Sequence, residues 1–206
     1  MPARAYTHHF EPGTNPAAPP LLLLHGTGGD EQSLIPLGRA LSPGSPLLSP
    51  RGQVSENGAL RFFRRHAEGV LDLDDLTARA HEMADFAATA AKAKSFAATR
   101  LVAVGFSNGA NLAAAMLLLR PASLAAAILI RPMVGLDPSP PANLTDKRVL
   151  ILSGAHDPIV PTGHPERLEQ MFRAAGAEVE RHSFPAGHGL TQADITAAQR
   201  FLAARP

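Results

Sequence analysis

A chain of 206 residues, 45% hydrophobic and with a formal charge of +1 at neutral pH, can bury one substantial core and is short for two. With 19 basic against 18 acidic residues and no sustained Lys/Arg stripe, there is no electrostatic basis for a nucleic-acid or anionic-membrane partner. Cysteine is absent, which excludes disulfides, thiolate metal sites and a cysteine nucleophile, and fits a reducing compartment.

The opening segment, MPARAYTHHFEPG, lacks the apolar run of a signal peptide. Residues 5–10 are expected to form a strand paired with Leu21 to Leu24 across the Pro-rich EPGTNPAAPP. Leu21 to Leu24 is a buried strand, too short to cross a bilayer, and is followed by the Gly-rich turn HGTGGDE. A helix from Glu31 to Leu41 and a weaker strand from Pro46 to Ser49 come next, then the long loop RGQVSENGALRFFRRHAEGV. Asp72 is placed to cap a long helix whose first turn carries Asp74 and Asp75, where carboxylates meet the positive end of the dipole. The strand Leu101 to Val104, the helix Asn108 to Leu119 and the strand Ala127 to Ile130 follow, with Arg120-Pro121 as the helix stop. The loop RPMVGLDPSPPANLTDKR then leads to the strand Val149 to Leu152, a helix Pro165 to Ala175, a strand Val179 to Phe184 and a helix Thr191 to Ala204.

Four of these strands are nearly continuous in apolar character, as strands covered on both faces must be. Strand and helix alternate throughout. The pattern predicts one α/β domain over residues 1–206, a mostly parallel sheet with helices on both faces and right-handed crossovers. A cytoplasmic location is expected.

Within this pattern the stretch VAVGFSNGAN stands out, because Ser107 lies between Gly105 and Gly109 with a strand before it and a helix after it. That is the context of a nucleophile elbow, in which side chains at 105 and 109 would collide with neighbouring backbone. The other reading is a Gly/Ser turn without chemistry. A serine nucleophile requires a histidine base and an acid to orient it. Of nine histidines, His188 sits in the Gly-flanked turn FPAGHGLT between the last strand and the last helix, and Asp157 follows the strand Val149 to Leu152 in LSGAHDPIVP. Each has a plainer reading, a surface-loop histidine and a turn-starting aspartate. The chain order Ser107, Asp157, His188 is that of α/β-hydrolases. Backbone N–H groups of Thr27, in the Gly-rich turn, and of Asn108, after the nucleophile, are the expected oxyanion donors. His25 and Asp30 are expected to shape that turn.

Together LLLLHGTGGDE, SPRG with ENG and RFFRR, VAVGFSNGAN, LSGAHDPIVP and AGHGL resemble the phospholipase/carboxylesterase family of α/β-hydrolases, across nearly the whole chain. The resemblance implies a serine hydrolase of esters or thioesters, with the triad on Ser107, Asp157 and His188 and the oxyanion loop on His25, Gly26 and Thr27. Where many relatives carry an apolar residue after His-Gly, this chain has Thr27, which leaves the backbone role intact and alters acyl-pocket polarity. Dienelactone hydrolases share the fold but resemble the chain less, their nucleophile being a cysteine. The family also makes a homodimer plausible.

The 18 residues after Ile130 are too few for a helical lid, so the site is expected to be open and to lack a large cap. Phe62, Phe63 and Met133, with Val134, are candidates for an apolar substrate groove, or else pack the long loop onto the body. Arg131, at the end of a buried strand, needs a structural acid or receives an anionic substrate end. Arg51, Arg61, Arg64, Arg65 and Glu56 are expected to form a salt-bridged scaffold. The reading is a serine carboxylesterase for short to medium acyl esters, needing no metal and no organic cofactor, its partner a small-molecule ester. An acyl thioesterase or lysophospholipase would use the same triad, and a non-catalytic binding protein would keep only the scaffold.

Overall fold

A strand with apolar side chains throughout is stable only when both of its faces are covered, and that requirement organises the chain. The computed structural model describes residues 5–138 and 142–204. Its first elements are β1 (His8–Glu11), β2 (Leu21–Leu24), α1 (Ile35–Leu41) and β3 (Leu47–Pro50). Four short strands follow, β4 (Val54–Glu56), β5 (Ala59–Arg61), β6 (Arg65–Ala67) and β7 (Val70–Leu71), and then α2 (Leu73–Lys94). The remainder is β8 (Val102–Phe106), α3 (Asn108–Leu119), β9 (Ala126–Ile130), β10 (Arg148–Gly154), α4 (His164–Ala174), β11 (Glu178–Phe184) and α5 (Gln192–Ala203).

Seven strands form the main sheet in the order β1-β3-β2-β8-β9-β10-β11. All neighbours are parallel except β1 and β3. Successive residues of each inner strand point to opposite faces, and both faces are buried. Leu22, Leu24, Ala103, Leu129 and Ile151 meet α2, α3 and α4 on one side. Leu21, Leu23, Val104, Ile128 and Leu150 meet α1 and α5 on the other. Each fully buried Leu or Ile contributes ~1.5–3 kcal/mol. Among the described residues, no helix is long and apolar enough to cross a membrane.

Three expectations need correction. The first strand covers His8–Glu11 and pairs antiparallel with β3, not with β2. Both edges of β2 are occupied by β3 and β8, so the partly exposed β1 takes the sheet edge. The helix expected from Glu31 begins at Ile35, because Pro36 lacks an N–H and is suited only to the first turn. The long loop after β3 holds two hairpins, β4 with β5 and β6 with β7, that periodicity did not reveal. The long helix starts as expected, with the Asp72 carboxylate accepting the Asp75 N–H at 3.0 Å. No helix occurs between β9 and β10 among the described residues, so no large cap covers the sheet.

Candidate active site

β8 delivers Phe106 to the C-terminal edge of the sheet, and the chain reverses into α3 within one residue. Ser107 makes the reversal at φ 51° and ψ −113°, a conformation uncommon for a residue with a side chain. Close approach dictates the flanking glycines. A β-carbon on Gly105 would lie 2.5 Å from the Gly109 carbonyl oxygen, and one on Gly109 would overlap the Leu24 carbonyl of β2. The turn is pinned by the Ser107 N–H, which donates to the Ile130 carbonyl at 2.8 Å. Its consequence is a hydroxyl held at the N-terminus of a 12-residue helix, where developing negative charge is favoured.

The other two chemical side chains arrive from the two strands beyond β9 in the sheet. His188, after β11, places Nε2 2.9 Å from Ser107 Oγ and Nδ1 2.8 Å from Asp157 Oδ2. With Nδ1–H donating to the carboxylate, Nε2 is left to accept the serine proton. Asp157, after β10, has a side chain only 2% exposed. Burial alone would raise its pKa, but the Ile159 N–H, His188 and the Val160 N–H together hold the carboxyl below its ordinary value. The acid is therefore an anion at neutral pH and its orientation is fixed. His156, its neighbour, is exposed.

The Gly-rich turn after β2 faces the same point. His25 is buried and spans the turn, its Nδ1–H donating to the Gly26 carbonyl at 2.7 Å and its Nε2 accepting the Gly52 N–H at 2.9 Å. It shapes the loop, as expected. Gly28 N–H is taken by the Leu60 carbonyl and Gly29 N–H by that of Gly26. Among the described residues no acceptor takes the N–H of Thr27 or of Asn108. Those two donors, both belonging to residues that line the cleft with Ser107, are the pair expected for an oxyanion.

The cleft over Ser107 encloses about 270 Å³, and its walls include Thr27, Arg61, Leu71, Phe106, Met133 and Ile159. Of the side chains expected to touch substrate, only Met133 lines it. Phe62 and Phe63 are 1% and 0% exposed, Phe62 packed on the His25 ring and Phe63 in the core, so they support the wall from behind. Arg131 is wholly buried and paired with Asp194 at 2.8 Å, which removes it from substrate contact. Arg61 was expected as scaffold and is in part so, with Glu56 lying between it and Arg65. It also donates to Thr27 Oγ1 at 2.5 Å from inside the cleft. Asn111, which holds the Met133 N–H at 2.7 Å, and Ile159 escaped notice because one is a polar residue inside an apolar helix and the other sits in a turn. The i+4 spacing of Asn111 from Ser107 was the available signal. Among the described residues no group of three or more metal-ligating side chains could hold a metal ion.

Comparison with known proteins bears on this arrangement. A profile of the Dienelactone hydrolase family matches residues 64–201, about two-thirds of the chain. A Bacillus subtilis (strain 168) protein named "Putative hydrolase MhqD" is 41% identical over 194 residues, covering 94% of this chain and 96% of that one. The crystal structure of a Bacillus cereus carboxylesterase superposes with a TM-score of 0.93 at 41% identity, over 96% of this chain and 93% of that one. A carboxylesterase from Mesorhizobium loti gives 0.87 at 32% identity, over 94% and 91%. The carboxylesterase likeness agrees with the sequence resemblance. The profile match carries the dienelactone hydrolase description that the missing cysteine had set further off, and Ser107 lies within the matched residues.

Proposed function

The chain belongs to the dienelactone hydrolase family and is an ester hydrolase of the α/β-hydrolase fold, and from that premise we propose that it is a serine carboxylesterase for short to medium acyl esters. Ser107 Oγ attacks the acyl carbon while His188 Nε2 takes its proton, and the Thr27 and Asn108 N–H groups receive the negative charge of the tetrahedral oxygen. His188 returns the proton to the leaving alcohol. Water, deprotonated by the same nitrogen, then releases the acid from the acyl-enzyme. Asp157 holds the imidazole in the required tautomer throughout. The observation that carries this reading is the continuous relay of 2.9 and 2.8 Å from a hydroxyl fixed at a positive-φ turn.

The acyl preference is drawn from the size of the cleft, which has Met133, Leu71 and Ile159 for apolar contact, with no helical lid between β9 and β10 among the described residues. A cytoplasmic site of action, suggested by the cysteine-free sequence, belongs to the same proposal. The test is turnover of p-nitrophenyl acetate, butyrate, octanoate and palmitate by wild type and Ser107→Ala, with a matched thioester beside the butyrate. Short esters should turn over, and the variant should lose on the order of 10⁶-fold in kcat. Preference for the thioester would make the protein a thioesterase on the same groups. Equal inertness of both proteins to every substrate would favour a binding role.

A further inference from the structure

The loop that carries His188 has little regular structure to hold it. It lies between two glycines, 187 and 189, and residues so flanked are conformationally free unless something outside the loop fixes them. Arg131 does so from below. Its Nε donates to the Gly187 carbonyl at 3.1 Å and its Nη2 to the Gly189 carbonyl at 2.9 Å, gripping the backbone on either side of the imidazole. The remaining donors go to the Leu152 carbonyl at 3.2 Å and, as a fork, to both oxygens of Asp194 at 2.8 Å. Every N–H of the guanidinium is thereby used, which an ammonium with three donors could not reproduce. Asp194 is held in turn by the Thr191 N–H and hydroxyl at the start of α5.

We infer that Arg131, braced by Asp194, is the positioning residue that sets His188 against Ser107. The inference rests on the proposed triad. It reaches the nucleophile too, because Ile130, the residue before Arg131, accepts the Ser107 N–H, so one dipeptide at the end of β9 ties the backbone of the nucleophile to the loop of the base. Arg131 itself sits at φ 56°, an uncommon conformation that marks the sharp turn out of β9, and its own N–H is fastened to Leu152 of β10. A buried pair is weak grounds for stability, since apolar replacement is often neutral, and here it is spent on orientation.

The test uses Arg131→Lys, Asp194→Asn and, as a control for stability alone, Phe201→Leu, whose ring is buried elsewhere on α5. Each is studied at a temperature where unfolding curves show it folded, with Ser107→Ala alongside. Arg131→Lys should lower kcat on the order of 10²-fold with KM within threefold, as expected for a misplaced catalytic group. It should also lose or shift the far-downfield proton resonance of the His188–Asp157 bond in the resting protein. Phe201→Leu should lower the unfolding midpoint and change neither readout. Should Arg131→Lys not fold, Asp194→Asn, which keeps the shape and the cap acceptor, carries the same comparison. An unchanged kcat and resonance in a folded strut variant would overturn the inference. If Ser107→Ala retained activity, the triad would fail instead, and the resonance would still decide whether Arg131 holds His188.

Discussion

Asp157→Asn alters one functional group, and the hydrogen bonds around it decide how the new amide must sit. Oδ1 accepts from the N–H of Ile159 at 2.8 Å and of Val160 at 3.2 Å, so asparagine keeps its carbonyl oxygen there. Its NH2 then faces His188 Nδ1, which has to accept where it formerly donated. The ring proton moves to Nε2. That nitrogen, 2.9 Å from Ser107 Oγ, no longer has a lone pair for the hydroxyl proton. A Ser-His-Asp relay held in the wrong tautomer loses ~10⁴-fold in kcat, about 5 kcal/mol of transition-state stabilisation. Because the turn keeps its backbone bonds, the fold should survive. The assay is steady-state hydrolysis of p-nitrophenyl butyrate at neutral pH, with the unfolding midpoint measured on the same sample. A folded variant within tenfold of wild type would refute the assignment of Asp157 as the orienting acid.

Gly109→Ala drives a methyl group into the Leu24 carbonyl and should cost ~3 kcal/mol, read as a lower urea midpoint. Phe63→Leu should cost ~1–2 kcal/mol and leave the acyl-length preference unchanged, whereas a changed preference would return Phe63 to the substrate. Met133→Ala should raise KM for the octanoate ester about fivefold, for the ~1 kcal/mol of apolar contact removed, and hardly affect the acetate. His25 supplies a pH dependence of stability. Burial is the main reason its pKa lies below 6.5, and the Gly52 N–H occupies the nitrogen a proton would need. Below pH 6.5 the unfolded chain binds a proton at His25 that the native state refuses, so stability falls as pH drops until the native pKa is reached. The slope contributed is at most about 1.4 kcal/mol per pH unit. Urea unfolding from pH 7.5 to 5 should show that acid loss reduced in His25→Asn, and equal slopes would contradict it.

The parts of the molecule visible in the sequence are those where one physical requirement acts on neighbouring residues. Short continuous runs of Leu, Ile and Val bounded by turn residues fit inner strands, and a serine between glycines at a strand-to-helix junction fits a tight turn. Thr27, Asp157 and His188 could be placed because each follows a strand whose end defines the same edge of the sheet. What depended on distant partners was not visible. Which strand β1 joins is set by the free edge of β3, both edges of β2 being occupied, and nothing in residues 8–11 states it. Phe62 and Phe63 read equally well as groove or core until the β4–β5 hairpin turns them inward. Arg131 advertised a need for a partner, but Asp194 lies 63 residues away and looks like an ordinary helix cap.

The nucleophile itself is open to direct capture. Wild-type protein mixed with excess p-nitrophenyl acetate, quenched in acid within the first turnovers and digested, should yield a peptide whose mass carries one acetyl group on Ser107, and that adduct should be absent from Ser107→Ala. An acetyl group found on another residue, or rapid ester hydrolysis by Ser107→Ala, would contradict the assignment of Ser107 as the attacking group.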